Sequence, residues 1–183
     1  MNVLGIAGSL RKESFNRRLL LCAGSVARTL GEEMRIHDLA EVPLYNADVE
    51  KAGMPDGVAK LRADLEWADC VVIATPEYNN SIPGVLKNAI DWASTSGNKW
   101  DGKVVALIGA TVGAFGTIQA QAHLRHIMLI LNAIVVPTPF VYVPKAQEAF
   151  NPDGSLANEM AAKNLEALIR RLFTVTGALK RAQ

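Results

Sequence analysis

The sequence predicts an α/β protein: five parallel strands in the order 2-1-3-4-5, doubly wound, with helices on both faces of the sheet. Three observations predict it. Continuous apolar runs at 3–7, 70–75 and 104–108 carry no charge, as parallel strands buried on both faces do. Segments with apolar residues at helical spacing separate them, and that alternation calls for right-handed crossovers onto a parallel sheet. The loops after the first, third and fourth strands are rich in small, hydroxyl and amide residues. In the order 2-1-3-4-5 these three strands are neighbours. Their loops then share one crevice beyond the carboxyl ends of the strands, where open sheets bind ligands.

Each element follows from the residues in turn. After the strand at 3–7, Phe15, Leu19, Cys22, Ala23, Val26 and Leu30 recur at helical spacing, and Gly31 stops the helix. Residues 34–39 alternate apolar and polar, as an edge strand does. Residues 40–57 hold two prolines, two glycines and several acids and read as a long loop. Val58, Leu61, Leu65 and Ala68 mark a second helix, and the run at 70–75 is a central strand. Pro83 suits the first turn of a helix carrying Val85, Leu86, Ala89, Ile90 and Ala93, which Gly97 and Asn98 end. The strand at 104–108 precedes a loop at 109–117 and a helix at 118–131. A short strand at 134–136 is broken by Pro137 and Pro139, and residues 140–143 either extend it or pair beside it. Asn151-Pro152-Asp153-Gly154 is a turn. A last amphipathic helix holds Met160, Leu165, Leu168, Ile169, Leu172 and Phe173. One domain spanning 1–183 is expected, with no repeat and no linker.

Composition bounds the function. Nineteen Lys and Arg oppose eighteen Asp and Glu, for a net charge of +1. That balance argues against nucleic acid or an anionic membrane as main partner. No apolar run approaches a membrane span, and no signal peptide precedes the first strand. Cys22 and Cys70 read as small buried apolar residues of a reducing compartment, so a cytoplasmic location is expected. His37, His123 and His126 are scattered; the last two share a helix face, in a surface or interface role. No metal site is expected.

The stretch Gly8-Ser9-Leu10-Arg11-Lys12-Glu13-Ser14-Phe15-Asn16 is the focus of the chain. It is a strand-to-helix turn, and a helix start presents unpaired N–H groups and partial positive charge. With the Ser9 and Ser14 hydroxyls, the Asn16 amide and the Arg11 guanidinium, it is suited to a phosphate. An ordinary capped helix start is the competing reading, since Ser and Asn are common N-caps. The loop at 76–84 offers Tyr78, Asn79 and main-chain groups to a planar heterocycle with a polar edge. The loop at 109–117 offers glycines, where backbone approaches a flat ligand closely. Phosphate plus planar ring means a mononucleotide or a flavin. The first turn lacks the Gly-x-Gly-x-x-Gly of a dinucleotide site and the Gly-Lys-Ser/Thr of a P-loop. There is no Gly-x-Ser-x-Gly elbow, no phosphatase cysteine in the first loop and no acidic cluster for magnesium.

The stretch at 8–16 resembles the G-S-x-R-x-x-S-x-N signature of the flavodoxin-like NADPH-dependent FMN reductase family. Pro76-Glu77-Tyr78-Asn79-Asn80-Ser81-Ile82-Pro83-Gly84 and the helix start after it are similar to that family's second signature, nearest the chromate, quinone and ferric reductase branch. The resemblance covers nearly the whole chain. It implies that Ser9, Arg11, Ser14 and Asn16 hold the FMN phosphate, with Phe15 beside them. It implies that Pro76, Glu77, Tyr78 and Asn79 line the isoalloxazine, and that Thr111, Gly113 and Gly116 border the ring and ribityl chain. Three plainer readings stand beside these: a solvated acid for Glu77, loop packing for Tyr78 and a turn hydroxyl for Thr111. The third loop departs from the branch. Thr111 stands for a serine, Gly116-Thr117 for a Gly-Gly pair, adding bulk near the flavin, and Gln119 for an arginine.

The implied reaction is ping-pong. NAD(P)H gives a hydride to the bound flavin and leaves, and an acceptor such as a quinone, chromate, a ferric complex or an azo compound then takes the electrons. No side chain is expected to act as a catalytic nucleophile, because the cofactor supplies the redox chemistry. A flavodoxin-type electron carrier is the alternative, though such carriers resemble acidic proteins with a Thr/Ser-rich phosphate loop. A receiver-like regulator would need the missing acidic pocket. Trp92 and other apolar groups around the helix at 83–94 predict an interface there, and the family forms homodimers or homotetramers through this region.

Overall fold

The computed structural model describes residues 1–182; Gln183, the last residue of the expected domain, lies outside the described residues. The elements are β1 (Val3–Ala7), α1 (Phe15–Thr29), β2 (Met34–His37), α2 (Ala47–Ala52), α3 (Asp56–Trp67), β3 (Cys70–Ala74), α4 (Gly84–Ser94), β4 (Val104–Ala110), α5 (Ile118–Ile130), β5 (Ile134–Val135), β6 (Val141–Val143) and α6 (Glu159–Ala182). The sheet runs β2-β1-β3-β4-β5 with every pair parallel, the flavodoxin-like order expected.

The two-residue period of a strand sorts the core into two layers. Val3, Cys70, Val72, Val104 and Ala106 lie in one apolar cluster with Leu19, Leu20, Leu168 and Leu172 of α1 and α6. Leu4, Ile6, Val71, Ile73, Val105 and Leu107 lie in the other, with Leu61, Leu65, Ile90 and Leu124 of α3, α4 and α5. β1, β3 and β4 are buried along their whole length, which explains their charge-free sequences.

Four details differ from the sequence reading, and one settles an alternative that it left open. The fifth strand position is filled in two pieces. β5 pairs with Val104 and Val105, and β6 with Ile108, Gly109 and Ala110, because the prolines between them have no N–H for the ladder. The long loop at 40–57 contains a 3₁₀ turn (Leu39–Glu41) and α2, capped by the Asp38 and Asn46 side chains. α2 buries no residue, so it left no apolar stripe to read. Pro83 is the N-cap of α4 rather than a first-turn residue. β4 runs on through Gly109 and Ala110. Trp92 is fully buried, its indole N–H donating to Pro43 O at 2.8 Å, so it belongs to the core of one chain. The exposed side of α4 instead carries the Lys87–Asp91 ion pair. Sequence alone could not say which side of an extensively apolar helix meets the sheet.

Cys70 is buried as expected, and burial pushes its thiol up to about 12. Cys22 is only half-buried; its thiol lies 3.2 Å from Gly154 O, and burial raises its pKa. Among the described residues, no helix is long and apolar enough to cross a membrane. Among the described residues, no cluster of three or more His, Cys, Asp or Glu could hold a metal ion.

Candidate functional site

β1, β3 and β4 end side by side, with Ala7 opposite Ala74 and Ala74 opposite Ile108. The loops they release are stitched together at once: Gly8 N–H donates to Ala74 O at 2.8 Å, and Thr75 N–H to Ile108 O at 3.0 Å. The three chemically distinctive loops therefore leave one rim of the sheet as neighbours.

Loop one, residues 8–14, turns through a Ser14 N–H to Arg11 O bond into α1. Ser14 is the N-cap, its hydroxyl oxygen accepting from Arg17 N–H at 3.3 Å. The N–H groups of Lys12, Glu13, Phe15 and Asn16 have no acceptor among the described residues. The first turn of α1 contains no acid, while Arg17 and Arg18 stand in it and Arg11 lies just ahead. Cations at the positive end of a helix are unfavourable without a compensating anion. Arg17 has a distant partner in Asp38 at 3.8 Å. The Arg11 guanidinium lies 4.9 Å over the Phe15 ring and donates to Glu13 O at 2.8 Å. Phe15 in turn stacks on Phe150 at 6.3 Å, a partner sequence reasoning did not find. Ser9 is half-buried at the start of the loop, its Oγ accepting weakly from Arg11 N–H at 3.4 Å.

Asn16 is placed differently from expectation. It is only 3% exposed, and its carboxamide both donates to Ala110 O and accepts from Ala110 N–H, each at 2.8 Å. The side chain is a brace from α1 to the end of β4, and only its main-chain N–H is left without a partner among the described residues.

Loop two, residues 75–83, starts with buried Thr75 and Pro76. Glu77 is not a free solvated acid: Oε2 accepts from Ala120 N–H at 2.9 Å, in the first turn of α5. Tyr78 and Ser81 exchange two main-chain bonds of 3.0 Å around Asn79 and Asn80, both at positive φ, which Asn tolerates better than most residues. Tyr78 is 55% exposed. Ser81 Oγ lies 3.0 Å from His123 Nδ1, a contact no sequence spacing signalled.

Loop three, residues 111–117, is anchored on the chain after β6. Thr111 N–H donates to Val143 O, and Thr111 O and Gly113 O accept from Ala146 and Lys145 N–H. Gly116 has φ +68 and lies where a Cβ would come within 2.9 Å of Tyr142, so only glycine fits. Thr117 does not crowd the crevice. It is fully buried, and its hydroxyl sits over Gly109 and accepts from Gln121 Nε2 at 3.1 Å. Val112 and Phe115 are exposed at the loop tip, Phe115 at 82%. Gln119 is exposed, where the resemblance leads one to expect an arginine.

This geometry offers a phosphate a cation-rich helix start whose first turn holds no acid, and it leaves Tyr78 exposed on loop two and Val112 and Phe115 exposed on loop three for a flat ring to meet. The residues present therefore fit FMN. Comparison with known proteins agrees. The family described as NADPH-dependent FMN reductase matches residues 1–148. An NAD(P)H-dependent FMN reductase of Pseudomonas aeruginosa is 42% identical over 180 residues, covering 94% of this chain and 97% of that protein. An NAD(P)H:quinone oxidoreductase of Solanum tuberosum is 38% identical, covering 98% and 95%. The solved structure of FerB, a flavoenzyme NAD(P)H:(acceptor) oxidoreductase from Paracoccus denitrificans, superposes with a TM-score of 0.88 at 35% identity over 97% of each chain. From its paired signatures, its strand order and these relatives, the chain belongs to the NADPH-dependent FMN reductase family.

Proposed function

We propose that the chain oxidises NAD(P)H through FMN seated at the three-loop rim and passes the electrons to quinones or similar acceptors, in a ping-pong cycle. Chromate, ferric complexes and azo compounds are further acceptors in this proposal. When bound, FMN supplies the hydride and electron transfer. The chain's own residues bind and orient. Arg11, Ser9, Ser14 and the free N–H groups at the start of α1 grip the phosphate. Pro76, Tyr78 and Asn79 present loop two to the ring, and Thr111, Gly113 and Gly116 line its other border. Asn16 and Glu77 act by bracing these loops. The observation that carries the reading is the first turn of α1, with its cations and no acid. The electron-carrier alternative finds no support in relatives named as oxidoreductases.

Arg11→Ala removes a charge-assisted contact of about 1.5–3 kcal/mol. FMN affinity, read by flavin fluorescence quenching, falls about ten- to a hundredfold. Wild-type affinity in this variant would overturn the phosphate assignment.

The proposal extends to a single flavodoxin-like domain over 1–183, supported by one sheet with a core on each face. It places the protein in the cytoplasm, supported by two unpaired thiols. It includes a homodimer or homotetramer through the 83–94 helix. Exposed Leu44, Tyr45 and Val49 beside that helix support this, tied to it by Tyr45 N–H donating to Asn88 Oδ1. Sedimentation velocity gives a species larger than 19.7 kDa if the assembly forms, and a monomer removes it.

A further inference from the structure

Loop two is held at both feet by the start of α5. Glu77 meets Ala120 N–H at 2.9 Å, and Ser81 meets His123 at 3.0 Å. Ala120 and His123 are three residues apart, so both contacts fall within the first two turns of the helix. Between the two contacts the chain turns through Asn79 and Asn80, closed by its own main-chain bonds. The turn is therefore closed on itself, and beyond its joins to β3 and α4 the two contacts with α5 hold it in place. α5 is a firm platform, because Ala120, Leu124 and Met128 are fully buried. The two feet differ in kind. Glu77 caps a half-buried helix start, whereas the Ser81–His123 contact is exposed and joins two side chains.

We propose that His123 is a positioning residue for the flavin: through Ser81 it sets the orientation in which loop two presents Tyr78 and Asn79 to the ring. This inference rests on the FMN reading above. The physical reason is preorganisation, since groups that meet a planar ligand edge gain most when their geometry is set before the ligand arrives. A hydrogen bond of ordinary net strength, lost from the free loop, is then lost from the binding equilibrium.

The test titrates the full-length apo-protein with FMN. His123→Ala and Ser81→Ala each weaken FMN binding about three- to tenfold. The double variant is no weaker than either single one, as for a contacting pair. His123→Asn restores wild-type affinity, because its amide falls near the position of Nδ1. The thermal midpoint of the apo-protein falls by no more than about 4 °C in the alanine variants, as loss of one exposed hydrogen bond allows, and returns in His123→Asn, which separates positioning from general unfolding. Unchanged affinity in both single variants, or losses that add, would overturn the role of His123. A wild-type protein that binds no FMN at all would instead remove the FMN reading itself.

Discussion

Arg62→Ala unfolds about 10 °C below the wild-type protein. The Arg62 guanidinium is 8% exposed and lies in α3 under the end of α4. Its Nη1 donates to Trp92 O at 3.1 Å, Ala93 O at 3.4 Å and Thr95 O at 2.6 Å, and its Nη2 to Ser96 O at 2.9 Å and Gly97 O at 3.0 Å. The negative end of the α4 dipole and five carbonyls together stand where a carboxylate partner would. Trp92 O and Ala93 O keep other donors, Thr95 Oγ1 and Lys99 N–H. The carbonyls of Thr95, Ser96 and Gly97 lose theirs. Charged hydrogen bonds contribute about 1.5–3 kcal/mol each but do not add within one cluster, so a loss of about 3–4 kcal/mol is expected. At about 2–4 °C per kcal/mol for a chain of this size, that is the predicted drop in midpoint. Arg62→Lys recovers less than half, because an ammonium cannot fork between the two groups of carbonyls. The closing contacts sit about 15 Å along α4 from loop two, so FMN affinity of the folded variant stays at wild type. Thermal melts and FMN titration at low temperature check both halves.

Asn16→Ala loses both stability and cofactor. The carboxamide satisfies a buried donor and a buried acceptor on Ala110, and truncation leaves both unpaired. Each orphan costs about 1–3 kcal/mol, giving a loss of about 3 kcal/mol. The same contact joins the start of α1 to the beginning of loop three, so FMN binding weakens by more than about tenfold in the folded fraction. Asn16→Asp keeps the shape but turns the donor facing Ala110 O into an acceptor, and it is no better than alanine. Denaturant unfolding and FMN titration together are diagnostic. Weakened binding with unchanged stability would mean that the Asn16 side chain touches the phosphate, as the signature implies, rather than bracing the loops.

These two residues show what could be read from the chain and what could not. Arg62 carries no motif: it is one charge among apolar helix positions, and only folding brings it to the end of a helix thirty residues on. Asn16 lies within a signature whose residue types all suit a phosphate. Composition could not tell that the Asn16 carboxamide is spent on Ala110 and that Ser14 is buried beside it as the N-cap. Glu77 is the same case, an acid suited to a polar ring edge that instead caps α5. For His123 the sequence pointed only to a surface or interface role, because its partner Ser81 lies 42 residues away.

What the residue order determined by itself is the α/β class, the strand order and the rim at which three loops meet. Burial on both faces forces parallel strands into charge-free runs, and a helix start that takes an anion must carry its cations and hydroxyls locally. Both demands are written in adjacent residues. Only the tertiary structure decided that Trp92 faces the core, that Thr117 packs inward on Gly109 and that residues 141–143 pair with β4 as a second piece of the fifth strand. It alone decided that Asn16 and Glu77 tie the loops to one another. Each of these depends on which side of an element meets a neighbour distant in sequence, and hydrogen-bonding partners of that kind leave no periodicity behind.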